Sequence, residues 1–296
     1  MDKKIETFLT VCRTMNYREA AEQLHLTQPA VTKQIQALEA EYGAKLFRYD
    51  GRRLHKTDQG LILESYAHSL EYNYQEMQLA MQEKERLHVK IGATKTIGDY
   101  VIAPAIVNYL KDPSHEITLI VDNTVQLLKG IDDGELDFAI VEGRFDKNRY
   151  SYQLMRNEPF IGIAAPSCAI FEKKREQLPE NKVKFEDLFG ETIIVREKGS
   201  GTRELFERDL ESLGFSLDSF ARVVELSSFI LIRSAVREGV GISFVYQSVV
   251  KDEAGFEHFL VDGMQRHHEF NIVSLRNTKA RHYADKFLSG AGLLNK

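Results

Sequence analysis

The stretch EAAEQLHLTQPAVTKQIQALE, residues 19–39, has the pattern of two short helices joined by a tight turn. Ala20, Ala21 and Leu24 place small or apolar side chains on one face of the first helix. Thr27 then supplies an N-cap hydroxyl, and Pro29 fits the first turn of the second helix. Helices joined by so short a turn predict a helix-turn-helix. Helical spacing predicts a buried stripe on the second helix at Val31, Ile35, Leu38 and Tyr42.

The opposite face of the second helix carries polar side chains that can read the edges of DNA bases. A glutamine amide pairs with adenine, a lysine reaches the acceptors of guanine, and the carbon atoms of Thr32 and Pro29 can touch a thymine methyl group. In a helix-turn-helix the N-terminal side chains of this helix enter the major groove. The predicted base-reading residues are Thr27, Gln28, Pro29, Thr32, Lys33 and Gln36.

A basic hairpin follows the helix pair. Residues 45–56 contain five Lys or Arg and one acid, Asp50, which precedes Gly51 in a hairpin-turn signal. Arg52 and Arg53 would lie on this wing, where guanidinium groups contact phosphates or enter a minor groove. A small helical bundle with a solvated charged loop would explain any one of these features alone. Their order along the chain favours DNA binding.

The composition bounds the class of protein. The chain has 296 residues, 43% of them hydrophobic, and a net charge of −5. Residues 1–58 have 10 Lys and Arg against 8 Asp and Glu, whereas the remainder has 29 against 36, so affinity for nucleic acid must come from a local basic surface. No stretch is apolar for the roughly 18 residues that a membrane span needs, and a signal-peptide core is missing. We expect a cytoplasmic protein of two or more parts.

A long helix is predicted from Asp58 to about Leu87, because this segment has no proline and its one glycine, Gly60, lies in the first turn. Apolar side chains recur along it every three or four residues, at Leu63, Tyr66, Leu70, Tyr74, Met77 and Met81. A second copy of this helix is the favoured cover for the stripe, since helix-turn-helix proteins usually dimerise on symmetric half-sites. The alternative is that the stripe is covered by the C-terminal part of the same chain, onto which the long helix would dock.

From residue 88 onward, short apolar strands alternate with amphipathic helices, which is typical of parallel sheets with crossover helices. Strands are predicted at 88–92, 116–121 and 138–141, and again at 192–195, 220–224 and 241–245, with intervening helices that end near 110, 133, 213 and 238. Two such α/β halves leave a crevice between the carboxyl ends of their strands, where folds of this kind bind ligands. The chain is expected to cross between the halves near 158–166 and 261–273.

The loops at this crevice gather hydroxyl groups, helix N-termini and positive side chains. Helix N-termini favour anions, and Lys95, Arg196 and Arg203 could add full charges, so we expect a small anionic metabolite such as a carboxylate or an inorganic oxyanion. Any single hydroxyl is better explained as a helix cap, and only the recurrence in both halves favours a ligand site. The predicted effector-binding residues are Thr94, Lys95, Thr96, Thr124, Arg196, Ser200, Gly201, Thr202, Arg203 and Ser227.

Common catalytic signatures are missing from the sequence. The patterns G-x-S-x-G, H-E-x-x-H, C-x-x-C and G-x-x-x-x-G-K-[ST] do not occur. His267 and His268 are neighbours on a predicted strand, so their side chains point to opposite faces and are poorly placed to share a metal. We therefore expect no enzymatic activity, no metal and no cofactor. The competing class is a solute-binding module that does not contact DNA, which the basic hairpin argues against.

Residues 2 to about 87 resemble the winged helix-turn-helix and linker helix of LysR-type transcriptional regulators. The family commonly has Ser-Arg where this chain has Thr32-Lys33, so a planar guanidinium group is replaced by a point charge. The matching positions are Ala20-Ala21, Leu24, Thr27 to Val31, Ile35, Leu38-Glu39, Gly43, Leu46-Phe47, Arg52-Arg53, Thr57 and Gly60.

The rest of the chain is similar to the LysR effector domain, which is related in fold to periplasmic solute-binding proteins. Matches lie at 96–98, Pro104, 134–137 and 239–242, and the loop 196–204 looks like that of a subset that includes regulators of sulfur assimilation and carbon fixation. The resemblance implies an α/β fold with a DNA-binding domain at 1–58, a dimerisation helix at 59–87 and an effector domain at 88–296. Subdomain I would hold residues of about 88–160 and 266–296, and subdomain II about 161–265.

We expect from this resemblance a homodimer or homotetramer that binds double-stranded DNA at an inverted-repeat promoter site. A metabolite in the cleft would change the angle between the effector subdomains and so alter promoter binding or DNA bending.

Overall fold

The structure, a computed structural model, describes residues 2–82, 88–168, 170, 182–251, 253–289 and 293. It begins with three helices, α1 (Lys3–Thr14), α2 (Tyr17–Gln23) and α3 (Gln28–Tyr42). The Thr27 hydroxyl caps α3 by accepting from the Ala30 N–H, and Gly43 ends it in the left-handed region with φ of +63°. The short turn between α2 and α3 is the predicted one, so the helix-turn-helix prediction is confirmed.

The stripe on α3 forms the centre of a small N-terminal core. Val31, Ile35 and Leu38 are buried against α1 and α2, as the spacing predicts. The prediction for Tyr42 is wrong, because 53% of its surface is exposed. Tyr42 lies in the last turn of α3, beyond the part of the helix that α1 and α2 cover.

The wing consists of two antiparallel strands, β1 (Phe47–Asp50) and β2 (Arg53–Lys56). Gly51 and Arg52 form the two-residue turn between them, and Gly51 has a φ of +59°, a conformation that glycine adopts without strain. Phe47 and Leu54 face the N-terminal core, which fixes the hairpin against the helices.

The long helix α4 runs from Asp58 to Met81. Thr57 caps it through a hydrogen bond from the Gly60 N–H, at 3.0 Å. Gly60 is required by close packing, since a Cβ there would lie 2.2 Å from the carbonyl oxygen of Leu46. The predicted end near Leu87 falls in residues 83–87, which lie outside the described residues.

Helix α4 docks onto the C-terminal part of the same chain with its polar face. Glu76 accepts a hydrogen bond from the Tyr283 hydroxyl at 2.6 Å, and the Asn73 amide donates to the Asn277 carbonyl at 2.7 Å. Only Leu63 of the predicted stripe is half-buried. The intrachain contact therefore leaves most of the apolar stripe uncovered, with these side chains exposed: Tyr66, Leu70, Tyr74, Met77 and Met81.

The remaining strands form one ten-stranded sheet system, in which eight strands follow the order β4-β3-β5-β12-β6-β10-β8-β9. Their bounds are β3 (His88–Ala93), β4 (Glu116–Val121), β5 (Phe138–Glu142), β6 (Tyr150–Ala164), β7 (Lys182–Val183), β8 (Thr192–Val195), β9 (Arg222–Glu225), β10 (Ile242–Tyr246), β11 (Glu257–Val261) and β12 (His267–Leu275). The helices are α5 (Lys95–Tyr100), α6 (Ala103–Tyr109), α7 (Thr124–Asp132), α8 (Gly201–Ser212), α9 (Phe229–Arg237) and α10 (Ala280–Ser289).

The two halves have the same topology, as the internal repeat predicts. In the first half β3 lies between β4 and β5, and in the second β8 lies between β9 and β10, all in parallel pairs. Strand β6 joins the halves: its first part pairs with β12 up to Pro159, and its second part pairs with β10 from Phe160. The chain thus crosses within the predicted segment 158–166.

One helix prediction in the first half is wrong. The segment expected to be a single helix ending near Leu110 is two short helices, α5 and α6, separated at Val101 and Ile102. Pro104 lies in the first turn of α6, where its missing N–H costs nothing but where it interrupts a continuous helix.

Candidate functional site

The predicted base-reading residues lie together at the N-terminal end of α3. The side chains of Thr27, Gln28, Pro29, Lys33 and Gln36 are exposed, and that of Thr32 is half-buried. The Thr32 hydroxyl donates to the Gln28 carbonyl at 3.0 Å. Among the described residues, Lys33 and Gln36 have no ion-pair or side-chain hydrogen-bond partner.

The five cations of the wing segment divide into two groups. Lys45 pairs with Glu39 at 2.6 Å, and Lys56 contacts both oxygens of the buried Glu64 carboxylate at 2.7 Å. These two ion pairs link the wing segment to α3 and α4. Arg48, Arg52 and Arg53 are exposed, and none of them forms an ion pair within the described part of the chain.

A cleft of about 500 Å³ opens where the carboxyl ends of the strands from both halves meet. Its lining comes from the loops after β3, β4, β5 and β8 and from the start of α8. The lining residues are Thr94, Lys95, Asp99, Val121, Asp122, Asn123, Glu142, Arg196, Glu197, Lys198, Gly199, Ser200 and Gly201. Five of the ten predicted effector-binding residues are among them.

The last residue of β5, Glu142, forms the floor of this cleft with only 3% of its surface exposed. Its Oε1 accepts hydrogen bonds from Thr202 at 3.2 Å and from Thr96 at 3.5 Å. Its Oε2 and the Thr94 hydroxyl are buried without a hydrogen bond of good geometry. Burial raises the pKa of Glu142 to about 7, although the Thr202 hydrogen bond and the Arg196 charge oppose the rise.

Two positive side chains are already engaged at the cleft. The Arg196 guanidinium binds both oxygens of Glu197 at 2.7 Å, and it lies 4.5 Å from the ring centroid of Phe229. Lys95 reaches across from the first half and donates to the Ser227 carbonyl at 2.9 Å. Lys95 and the Thr202–Glu142 hydrogen bond therefore connect the two halves directly.

Several predicted effector-binding residues have other roles in the structure. Arg203 faces away from the cleft lining, because its guanidinium is held by Glu207, Glu225 and the Arg196 carbonyl. Ser227 contributes its backbone oxygen rather than its hydroxyl. The Thr124 hydroxyl donates to the Glu142 carbonyl at 2.9 Å. Thr96 and Thr202 lie behind the lining and support Glu142.

The sequence prediction missed Glu142, the most buried acid of the cleft. One signal was available, because Glu142 follows four apolar residues, Phe138 to Val141, at the carboxyl end of a buried strand. The sequence prediction also did not include four other polar residues that line the cleft, Asp99, Asp122, Asn123 and Lys198. His268 is buried and His267 is exposed on opposite faces of β12, and the described residues hold no cluster of His, Cys, Asp and Glu suited to a metal ion.

An exposed recognition helix with a basic wing, joined by a long helix to a two-lobed domain with a ligand-sized cleft, defines the class of DNA-binding regulators that respond to small molecules.

Comparisons with known proteins give the family. A model described as "Bacterial regulatory helix-turn-helix protein, lysR family" matches residues 3–61, and one described as "LysR substrate binding domain" matches residues 82–289. The chain belongs to the LysR family of transcriptional regulators. It binds DNA and has an effector-binding domain, and regulators of this family act as oligomers.

The relatives align over nearly the whole chain. An uncharacterized HTH-type transcriptional regulator of Methanocaldococcus jannaschii is 30% identical over 86% of this chain and 86% of its own length. The regulator CbbR of Rhodospirillum rubrum is 30% identical, with coverage of 92% and 89%. Among solved structures, full-length LysG from Corynebacterium glutamicum with bound effector Arg superposes with a TM-score of 0.70 over 98% of each chain; at 15% identity this similarity shows the fold alone.

Proposed function

We propose that the effector is a small anion and that it binds in the cleft between the two halves of the effector domain. The observation that carries the proposal is the meeting of Lys95, Arg196 and Lys198 at one polar cleft beside the N-terminus of α8. Cations and helix N-termini both favour negative charge, and they act most strongly where water is partly excluded. Of the predicted residues, Thr94, Lys95, Arg196, Ser200 and Gly201 are the contacts that this proposal retains.

Base recognition is assigned to the N-terminal turn of α3. Gln28 and Lys33 would contact base edges, Thr32 and Pro29 would pack on a thymine methyl group, and Thr27 and Gln36 would flank them. Arg52 and Arg53 would contact phosphates or the adjacent minor groove. The exposure of these side chains and the lack of partners for Lys33, Arg52 and Arg53 among the described residues support the assignment.

Coupling between the two sites follows from the contacts across the cleft. An anion that attracts Lys95 competes with the Ser227 carbonyl for its ammonium group. The effector therefore binds one angle between the halves better than another, and it shifts the population towards that angle. Through α4, which contacts the effector domain at Glu76 and Asn73, the change would reach the DNA-binding pair and alter promoter binding or DNA bending.

The exposed stripe of α4 supports a homodimer or a homotetramer on an inverted repeat. The five exposed apolar side chains from Tyr66 to Met81 would be covered by the same helix of a second copy. Sedimentation of the full-length protein tests this point, since a single species of one chain mass would contradict it. The same proposal divides the chain into residues 1–58, 59–87 and 88–296. It also includes a cytoplasmic location.

The test of effector binding uses a panel of small anions with the full-length protein on its own promoter fragment. The proposal expects that at least one anion raises the melting temperature of the protein and changes the length of its footprint on DNA. Arg196→Gln should remove both effects and keep basal DNA binding. Stabilisation by none of the anions, with DNA binding intact, would contradict an anionic effector. A protein that binds anions but not DNA would instead be the solute-binding module.

A further inference from the structure

Glu142 occupies an unusual position for a carboxyl group in a cleft assigned to an anion. It lies at the floor, where the start of α8 meets the end of β5: a Cβ on Gly201 would be only 3.4 Å from Glu142 Cγ. Its Oε1 accepts from two threonine hydroxyls, whereas Oε2 is buried without a hydrogen bond of good geometry. The hydroxyl of a third threonine, Thr94, also interacts with this carboxyl group and likewise has no hydrogen bond of good geometry. An unsatisfied buried oxygen in a ligand-sized cleft is a group that a ligand can satisfy.

The charges around the cleft decide which ligand can form a hydrogen bond with Glu142 Oε2. Three cations line it, Lys95, Arg196 and Lys198, against four carboxyl groups, Asp99, Asp122, Glu142 and Glu197. With every group ionised, the lining carries one more negative than positive charge, and Glu142 Oε2 would repel an anionic oxygen. If Glu142 carries a proton, the lining is neutral and Oε2 becomes a donor that an anionic oxygen can accept from.

We propose that Glu142 is a specificity-determining residue of the effector cleft, and that the effector binds through one proton shared between Glu142 Oε2 and an anionic oxygen of the ligand. The inference rests on the proposed anionic effector. A fully ionised oxyanion takes up this proton from solvent when it binds, whereas an oxyanion that already carries an acidic hydroxyl brings the proton itself. An ammonium ligand is disfavoured, because it would need Glu142 ionised.

The electrostatics of the surroundings are consistent with this role. Burial raises the pKa of Glu142 to about 7, so both protonation states are accessible near neutral pH. The buried Tyr246 of β10 interacts electrostatically with Glu142, and its own pKa is raised well above its ordinary value by burial and by the Glu142 charge. The other charged groups at the cleft are Lys95, Asp99, Asp122, Arg196, Glu197 and Lys198.

Sulfate affinity should depend on pH through the proton on Glu142. Sulfate stays fully ionised near neutral pH, so it needs the protonated form of Glu142. Its affinity should be highest below about pH 7 and should fall as the pH rises through that value, by about tenfold between pH 6 and pH 8. Inorganic phosphate, which can carry a proton of its own, should lose affinity less steeply.

Isothermal titration calorimetry of the full-length protein with sulfate and with phosphate measures both affinities. Glu142→Gln keeps the shape of the side chain and donates a hydrogen bond at every pH, so its sulfate affinity should be nearly independent of pH. Glu211→Gln removes an exposed carboxyl group of α8 that does not line the cleft, and it should retain the pH dependence of the unmodified protein. Titrations in two buffers of different ionisation enthalpy count the protons taken up, about one per sulfate at pH 8, and require no variant.

The outcomes separate this inference from the proposed function. Sulfate binding with no proton uptake, or with the same pH profile in Glu142→Gln as in the unmodified protein, overturns the role of Glu142 and leaves an anionic effector standing. Binding of L-alanine that strengthens with rising pH would place an ammonium group at Glu142 and overturn the shared proton. Failure of sulfate and phosphate to bind at any pH overturns the shared proton, whereas the anionic effector is then decided by the wider panel of anions, carboxylates included.

Discussion

The DNA-binding face and the effector cleft use polar side chains in opposite ways. On α3 and the wing, Lys33, Gln36, Arg52 and Arg53 stand in solvent and have no ion pair or side-chain hydrogen bond with described residues. In the cleft, Thr96, Thr202 and Arg196 are buried and bonded to protein partners. The side chains of the first surface can contact the phosphates and base edges of DNA without first breaking a bond within the described part of the protein. The second is a network that a small ligand must enter and rearrange.

This difference predicts how the two regions respond to substitution. Removing an exposed side chain costs little stability and costs binding directly. Removing a member of a buried network costs stability and also changes how its neighbours are held. Affinity for DNA and response to effector should therefore be separable by mutation.

The largest effect is expected on the DNA-binding face. Lys33→Ala combined with Arg52→Ala should weaken binding to the promoter fragment by about 100-fold, because Lys33 loses a base contact worth roughly 1–3 kcal/mol and Arg52 loses a contact with a phosphate or the minor groove. Thermal unfolding should be unchanged, since both side chains are exposed. Lys111→Ala with Arg222→Ala removes two exposed charges from the effector domain and serves as the control. Equal losses in the two double variants would mean that net charge alone, not this face, governs binding.

A smaller effect is expected in the cleft. Thr96→Ala combined with Thr202→Val removes the two hydroxyls that hold Glu142, so the response to an active anion should fall at least about tenfold. Stability should drop by about 2 kcal/mol, and basal DNA affinity should stay within about twofold. Ser243→Ala is the matched control, because its buried hydroxyl donates to the Ile194 carbonyl away from the cleft. Loss of basal DNA binding together with the response would contradict separable sites.

The smallest functional effect is expected on the wing, where an ion-paired lysine and an exposed arginine lie on the same strand. Lys56→Met leaves the buried Glu64 carboxylate without its cation and should lower the free energy of unfolding by about 2 kcal/mol, while DNA affinity of the folded protein changes little. Adding Glu64→Gln should restore much of the stability. Arg53→Met, on the same strand, should do the reverse and weaken DNA binding without destabilising the fold. Denaturant unfolding and anisotropy, measured on the same samples, decide between the two patterns.

The N-terminal region was predictable to a large extent because its determinants are local. Thr27, Pro29 and the Val31 to Leu38 stripe define the start and the buried face of α3 from spacing alone. Spacing could not show that Tyr42 extends beyond the core, since that depends on where α1 and α2 end. Nor could it show that Lys56 is engaged, because its partner Glu64 comes from the next helix.

In the effector domain the order of elements was predictable and the chemistry of the cleft was not. Alternating strands and helices give the topology of both halves, since each element is defined by its own periodicity. The raised pKa of Glu142 comes from burial, and the Thr202, Arg196 and Thr96 side chains that oppose the rise lie far away in sequence and meet it only in the folded chain. Arg203 was assigned to the ligand by its charge, yet Glu207, one turn further along α8, already pairs with it.

We propose that this chain reads a specific DNA sequence through the exposed start of α3 and the wing. Fluorescence anisotropy of the purified full-length protein on its own upstream DNA, at two salt concentrations and beside a scrambled fragment, tests it most directly. We expect tight binding that prefers the native fragment and weakens steeply with salt, because Arg52 and Arg53 would replace counterions on the phosphates. Absence of binding to either fragment at low salt would contradict it.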